Sequence, residues 1–334
     1  MAELKPLEHR HYAHCESGVV TALLRCHGLD LSEPMVFGIT GGLTFAYIPF
    51  IKITNMPLIS YRMLPGSIIK GAEKNLDVQF RTQRYREKEK ALAELTTLVD
   101  NGEIVGLQTS VYWLPYFPPE MRFQFNAHNL IVYGREGDEF LISDPVFEHP
   151  VRIKADDLQN ARFARGTLAP KGFIYYPVRV NPSIDLREAI KKSIKRTVRM
   201  MLYAPVPFIG VKGIHYMGRQ IERLKIREEP KYARLFLGHI VRMQEEIGTG
   251  GGGFRFIYAA FLQEAGRLIG STRLEEASRM MTEAGDMWRR FASACAKTCK
   301  SRTEDFDVAE IAQLVQKCAN QEKHVYSYLK SMKL

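Results

Sequence analysis

The chain has 334 residues, of which 46% are hydrophobic, so it can bury a substantial core and exceeds the length of one typical domain. It begins without an apolar leader and has no run of about eighteen uncharged apolar residues, which argues against export and membrane spanning and predicts a cytoplasmic location. The five cysteines lack paired metal-ligand spacing, so we expect reduced thiols and no metal site.

The positive charge is unevenly distributed. The formal net charge is +10, and the first 180 residues carry equal numbers of acidic and basic side chains, so the whole excess lies in the C-terminal half. Such a surface attracts acidic partners, and the sign alone does not choose among nucleic acid, anionic membrane and acidic protein. The absence of helix-turn-helix or zinc-finger spacing argues against nucleic acid. The prolines of "MMLYAPVPFIGV" indicate an interhelical corner rather than a membrane-surface segment.

The first 180 residues alternate between helical and strand patterns. A helix is predicted from Cys15 to about Gly28, followed by a short helix capped by Ser32. "HNLIVYG" and "EFLISDP" are apolar runs joined by the turn "REGD", which predicts an antiparallel hairpin. The other predicted elements are strands in "PLISYR", "DVQFRTQRY", "EIVGLQTSVYWL" and "GFIYYPVRV", and a helix in "REKEKALAELTTLVDNG".

After residues 181–185 the hydrophobic period changes from two to 3.6 and stays there to the end of the chain. Helices are predicted in "LREAIKKSIKRTVRMML", "YARLFLGHIVRMQEEIG" and "FRFIYAAFLQEAGRLIG", followed by two longer ones. The sequence therefore predicts an α+β fold with two domains, a mixed catalytic domain over residues 1–180 and an all-helical domain over residues 181–334.

Three residues form a candidate site for nucleophilic catalysis. Cys15 begins a helix, where the dipole and the N–H groups favour a thiolate. His128 begins one hairpin strand and could act as its base, while Asp144 ends the neighbouring strand and could orient the imidazole. Singly, each residue has an ordinary structural interpretation: a buried thiol, a strand-edge histidine and an Asp-Pro turn former. Together they reproduce the arrangement of a papain-like cysteine enzyme.

The same residues carry a resemblance to a known family. "HCESGVVTALLRCHGLDLSEPMVFGITGGLTFAYIP", "YWLPYFP", "AHNLIVYG" and "ISDP" resemble the N-terminal domain of butirosin biosynthesis protein H. "GTGGGGFRFIYAAFLQEAG" resembles the helical domain that often follows it. The resemblance implies a papain-like acyltransferase of secondary metabolism, in which an acyl group arrives as a thioester on an acyl carrier protein and passes through Cys15 to a small-molecule amine acceptor. His128 and Asp144 match the other two catalytic positions. No cofactor of its own is implied, because phosphopantetheine would arrive on the carrier.

The oxyanion hole is incompletely specified by the sequence. The backbone N–H of Cys15 is one natural donor. Papain-like peptidases commonly use an upstream glutamine as the second, and none precedes Cys15. Gln108 is the substitute we consider. A hydrolase with the same three residues (an amidase, peptidase or thioesterase) and a non-catalytic binding protein on the same fold both remain alternatives.

Two glycine-rich segments are candidate substrate-binding sites. Gly41 and Gly42 could let backbone approach a substrate, or could simply form a turn. "GTGGGGFR" precedes a helix and is either a hinge or packing element, or a cradle in which Arg255 helps to bind a pantetheine phosphate or a substrate anion. It is not a nucleotide-binding P-loop, because Lys and Ser/Thr are missing after Gly253.

The helix "REAIKKSIKRTVRMML" carries a cluster of basic residues at spacings of three and four: Lys191, Lys192, Lys195, Arg196 and Arg199. It is either a solvated helix face or the surface on which an acidic acyl carrier protein docks.

Overall fold

The computed structural model describes residues 6–53, 55–224, 229–300 and 308–332. In chain order the helices and strands are α1 (Cys15–Cys26), α2 (Glu33–Ile39), β1 (Leu43–Ile53), β2 (Met56–Arg62), α3 (Ser67–Asn75), β3 (Val78–Gln83), α4 (Lys88–Asp100), β4 (Val105–Thr109), β5 (His128–Glu136), β6 (Glu139–Ser143), β7 (Val151–Lys154), α5 (Ala155–Arg162), β8 (Ile174–Val180), α6 (Leu186–Tyr203), α7 (Gly210–Glu222), α8 (Pro230–Val241), α9 (Arg255–Ile269), α10 (Thr272–Lys300) and α11 (Val308–Lys330). The fold is α+β, with a sheet in the N-terminal half and helices in the C-terminal half, as the sequence predicts.

The chain forms two compact units. The first comprises Met1–Val36 and Pro65–Ile184, and the second comprises Phe37–Leu64 and Asp185–Leu334. This differs from a single division at residue 181, because the hairpin of β1 and β2 groups with the C-terminal helices. The cause is aromatic packing inside the second unit: Phe45 and Tyr61 of the hairpin both contact Trp288 of α10, with ring centroids 5.8 and 5.3 Å apart.

The first unit is built on a six-stranded antiparallel sheet with the strand order β3-β8-β4-β5-β6-β7. Successive side chains of a strand point to opposite faces of the sheet, so each strand contributes residues to both faces. One set of residues, including Leu107, Leu130 and Ile174, forms a core with α4 and α5. The intervening positions of the three central strands face the other side, where α1 packs against β4, β5 and β8.

Most predicted elements are present. The hairpin of β5 and β6 is confirmed, and the Ser32 hydroxyl caps α2 by accepting a hydrogen bond from the backbone N–H of Met35 at 3.1 Å. The strand predicted in "EIVGLQTSVYWL" ends at Thr109, because Val111–Trp113 forms a turn of 3-10 helix. The sequence analysis did not predict β1, α3, β7, α5 and α7. None of the helices within the described ranges combines the length and apolar character needed to cross a membrane.

Candidate active site

Cys15 is the first residue of α1, and its position is fixed by the helix cap. The side chain of His14 accepts a hydrogen bond from the backbone N–H of Ser17 at 3.3 Å. The N–H groups of a first helical turn have no partner within the helix, and the dipole gives this end partial positive charge. The thiol therefore occupies a place that stabilises an anion, and the residue is 7% exposed.

Glu33 holds the turn that leads into α1. Its carboxylate accepts hydrogen bonds from the backbone N–H groups of Ala13 and His14 at 2.8 and 2.9 Å, and from the Ser17 hydroxyl at 2.8 Å. Burial raises the pKa of Glu33, although all three hydrogen bonds act in the opposite direction. This buried carboxylate therefore holds in place the residues that precede and follow Cys15.

His128 and Asp144 form a buried pair beside Cys15. The imidazole Nε2 donates to Asp144 Oδ2 over 2.7 Å, and the two side chains are 4% and 0% exposed. Because Nε2 is engaged by Asp144, the other ring nitrogen is the one that meets the Cys15 thiol, with which His128 also forms a hydrogen bond. The structure thus brings the three predicted residues together.

The electrostatics of the pair favour an imidazolium. Burial by itself lowers the pKa of His128, but the charge and hydrogen bond of Asp144, together with the Cys15 contact, outweigh it and raise the pKa to about 10. A protonated His128 next to Cys15 stabilises a thiolate by charge attraction, in addition to the helix dipole.

Asp144 is anchored by two further donors that the sequence analysis did not identify. The Tyr116 hydroxyl donates to Oδ2 at 2.9 Å, and the backbone N–H of Val146 donates to Oδ1 at 3.0 Å. The His128 ring also packs edge-on against Phe117, with centroids 5.5 Å apart. These contacts fix both the carboxylate and the plane of the imidazole. Tyr116 lies in the "YWLPYFP" segment, whose cluster of aromatic residues is the only sequence signal for its presence.

The remaining cysteines have environments that suppress thiolate formation. Burial raises the pKa of Cys26 to about 11, and it also raises the pKa values of Cys295, Cys299 and Cys318. Cys15 is therefore the cysteine whose surroundings favour nucleophilic chemistry. Within the described part of the chain, no group of three or more His, Cys, Asp or Glu side chains is arranged to hold a metal ion.

Asn129 is a further neighbour of Cys15 that the sequence analysis missed. Its Nδ2 lies 4.0 Å from Cys15 Sγ and donates to the carbonyl of Ala127 at 3.0 Å. Its Oδ1 accepts a hydrogen bond from the Tyr175 hydroxyl at 2.9 Å. The available signal was the sequence "AHN", which places an amide directly after the histidine.

Gln108 does not serve as the second oxyanion donor. Its Nε2 donates to the carbonyls of Asn126 at 2.8 Å and of Leu168 at 3.1 Å. A side-chain amide has two N–H groups, so both are used in holding these loops. This expectation is wrong because the amide is already saturated by backbone acceptors.

The interpretation of Arg255 as part of an anion cradle is also wrong. Arg255 is completely buried, and it forms a bidentate ion pair with Glu322 at 2.8 and 3.1 Å. The neighbouring backbone N–H of Gly252 donates to the carboxylate of Glu245 at 3.1 and 3.2 Å. The positive groups of "GTGGGGFR" are thus neutralised by carboxylates of this chain, and the segment is a packing element.

Gly41 and Gly42 belong to the second unit, and each has a local reason to be glycine. Gly41 has φ +71°, in the left-handed region, at the turn between α2 and β1. A Cβ at Gly42 would lie 2.7 Å from the ring of Phe37. Their predicted role in substrate binding stays a prediction.

The fold and the site together define the class of the protein. A cysteine at a helix N-terminus lies beside a histidine that begins one strand and an acid that directly follows the adjacent strand of an antiparallel sheet, which is the arrangement of a papain-like cysteine enzyme.

Comparisons with known proteins give the family. Residues 156–329, more than half of the chain, match the family model described as Domain of unknown function (DUF4872), and residues 14–145 match the model described as Butirosin biosynthesis protein H, N-terminal. The chain therefore belongs to the DUF4872 family, and its N-terminal part matches the butirosin biosynthesis protein H N-terminal domain that its motifs predict. No curated protein matches the sequence. A crystal structure of a protein described as a C39-like peptidase from Bacillus anthracis aligns with a TM-score of 0.38 and 14% identity, over 53% of this chain and 96% of that chain.

Proposed function

We propose that the protein is a cysteine-dependent acyltransferase of secondary metabolism, which moves an acyl group from a thioester to an amine through an acyl-Cys15 intermediate. The observation that carries the proposal is the alignment of Cys15, at the N-terminus of α1, with the buried His128–Asp144 pair. The N-terminal match to butirosin biosynthesis protein H supports a biosynthetic role.

The first step forms the acyl-enzyme. The Cys15 thiolate attacks the thioester carbonyl carbon, and the carbonyl electron pair moves onto the oxygen. The tetrahedral intermediate then collapses and breaks the carbon–sulfur bond to the donor. The departing thiolate takes its proton from the His128 imidazolium, which Asp144 keeps in place. One thioester replaces another, so the step is close to isoenergetic.

The second step delivers the acyl group to the amine. Neutral His128 takes a proton from the attacking amine, an amide forms, and the Cys15 thiolate is released. Water must be kept from the acyl-enzyme for transfer to outcompete hydrolysis. The low exposure of Cys15, His128 and Asp144 limits the contact of bulk water with the site.

The donor is proposed to be an acidic acyl carrier protein, whose phosphopantetheine bears the thioester. On α6 the side chains of Lys192, Lys195 and Arg199 are exposed at spacings of three and four, which puts them on one face of the helix. This face, here called the basic stripe, suits an acidic protein surface. Electrostatic steering to it is screened over about 8 Å at physiological ionic strength.

Partitioning of the acyl-enzyme distinguishes transfer from hydrolysis. The protein is incubated with an acyl thioester and increasing concentrations of a panel of small amines, and the amide and the free acid are quantified. A transferase gives amide in place of acid as one of the amines increases. Free acid alone, at every amine concentration, would identify a hydrolase. Absence of turnover, together with an unreactive Cys15, would indicate a binding protein.

The carrier interface is tested by charge reversal. The variant Lys192→Glu/Lys195→Glu should raise the KM for a carrier-borne thioester and leave the KM for a small acyl thioester unchanged. Two reversals of exposed side chains on α10, Arg290→Glu and Lys297→Glu, change the net charge equally and serve as the control. Equal effects of the two double variants, or no effect of either, would contradict docking on the basic stripe.

A further inference from the structure

Asn129 lies beside Cys15, and the second oxyanion donor is the part of the site that the sequence leaves unassigned. Asn129 is the second residue of β5, and it is 4% exposed. In the register of the sheet it pairs with Gln108 of β4, on the face against which α1 packs. Its amide nitrogen therefore lies between the sheet and the first turn of the helix that carries Cys15.

The orientation of the Asn129 amide is set by Tyr175. The Tyr175 hydroxyl donates to Oδ1, which requires the NH₂ group to point the other way, toward Cys15. Burial raises the pKa of Tyr175 far above its usual value, so the phenol keeps the proton that it donates. The Tyr175 ring covers Gly106, where a Cβ would lie 2.6 Å from it, so the missing side chain makes room for this arrangement.

The distance decides what the amide can do. One N–H of Asn129 is used by the carbonyl of Ala127, and Nδ2 is 4.0 Å from Cys15 Sγ. That is long for a hydrogen bond to the sulfur itself. In the tetrahedral intermediate, however, the oxyanion is bonded to the carbon that Sγ has attacked, so it stands one bond angle away from the sulfur. A donor at this range can reach the oxyanion at about 3 Å.

We infer that the Asn129 side chain is the second oxyanion donor, acting with the backbone N–H of Cys15, and that Tyr175 is the residue that positions it. The inference deepens the proposed function and rests on it, since it concerns attack of Cys15 on an acyl carbonyl. It gives Asn129 contact with the reacting atoms, while Tyr175 acts through Asn129.

The test compares two reactions of the same thiol. Acylation by an acyl thioester passes through an oxyanion, whereas alkylation by iodoacetamide displaces iodide at a saturated carbon and forms none. Asn129→Ala should slow acylation of Cys15 by about 10²- to 10³-fold, the usual loss for one oxyanion donor. Alkylation should stay within about three-fold of wild type, because the thiolate and His128 are unchanged.

Two further variants make the result specific. Tyr175→Phe keeps the ring over Gly106 and removes only the hydroxyl, so it should slow acylation by about 10-fold and leave alkylation unchanged. The matched control is Asn126→Ala, a buried asparagine whose Nδ2 donates to the carbonyls of Arg165 and Thr167. Asn126→Ala should change the rate of neither reaction by more than about three-fold, because it leaves the Cys15 thiolate intact. Melting temperatures verify that each variant is folded.

The inference is overturned if Asn129→Ala slows acylation and alkylation equally, or slows neither. If wild-type protein is not acylated by thioesters at all, the proposed function fails, and the comparison is then made with p-nitrophenyl acetate. That ester acylates a thiol through the same type of oxyanion without carrier chemistry. If Asn129→Ala slows acylation by p-nitrophenyl acetate, the inference is supported. If the rate is unchanged, the inference is wrong.

Discussion

The 2.7 Å hydrogen bond between His128 Nε2 and Asp144 Oδ2 joins the first residue of β5 to the residue that follows β6. In an antiparallel hairpin the start of one strand and the end of the next lie at the same edge of the sheet. The hairpin thus places the base, His128, next to the acid that orients it, Asp144. Helix α1 begins beside them with Cys15.

Cys15 should be the first of the five cysteines to react with a limiting amount of iodoacetamide at pH 7. The helix N-terminus and the His128 imidazolium favour its thiolate, whereas burial raises the pKa values of the other four cysteines. Peptide mapping by mass spectrometry measures the site. Cys15→Ala should remove the early adduct, and Cys26→Ala, at the other end of the same helix, should retain it. Early labelling of Cys26 or Cys299 would contradict the assignment.

Replacement of His128 by Ala should shift the pH dependence of Cys15 alkylation upward. Without the imidazolium, thiolate formation should move toward the value of an ordinary thiol, about 8.5. Acylation by a thioester should also fall, by about 10²- to 10⁴-fold, because the leaving thiolate loses its proton donor. Alkylation rates between pH 5 and 10 check the shift. An unchanged profile would show that His128 does not interact with the thiolate.

In Asp144→Asn, the acylation rate should begin to fall at a lower pH than in the wild-type protein. Acylation requires protonated His128, whose pKa Asp144 helps to raise to about 10. With the neutral amide, that pKa falls, so the descending limb of the rate profile should move to lower pH. The measurement is the pre-steady-state acylation rate as a function of pH. A descending limb at the same pH in both proteins would contradict the role given to Asp144.

The stability effect of Asp144→Asn should depend on pH with a defined sign. The folded-state pKa of His128 is raised above the usual 6.5, so the stabilisation from its protonation is complete below about pH 6.5 and is lost as the pH rises toward about 10. Loss of the buried partner should therefore cost about 3 kcal/mol at pH 6 and less at pH 10. Urea unfolding at the two pH values measures it. A larger cost at pH 10 would be the contrary result.

The sequence predicted those site residues whose positions follow from the helix and strand pattern alone. A cysteine at the start of a helix and two polar residues at the ends of a hairpin occupy positions that element type and strand pairing define. Asn129 was missed because successive side chains of β5 point to opposite faces of the sheet, so Asn129 and His128 lie on different faces. Cys15 nevertheless lies close to both residues. Its partner Tyr175 lies on β8, and no local pattern connects the two.

The errors have the same origin in distant contacts. Arg255 resembled an anion-binding residue because Glu322, which neutralises it, is 67 residues away in the chain. The β1–β2 hairpin groups with the C-terminal helices because of aromatic partners such as Trp288, which sequence order does not reveal. Patterns of hydrophobicity specify elements well, whereas the choice of packing partner depends on the assembled structure.

The proposed function depends on acylation of Cys15, which intact-protein and peptide mass spectrometry measures directly after incubation with small and carrier-borne acyl thioesters. The proposed function predicts a single acyl adduct on the peptide that contains Cys15, absent from Cys15→Ala and retained in Cys26→Ala. A wild-type protein that forms no adduct with any thioester, and whose Cys15 also fails to react with iodoacetamide, would contradict the proposed function and identify Cys15 as a buried structural thiol.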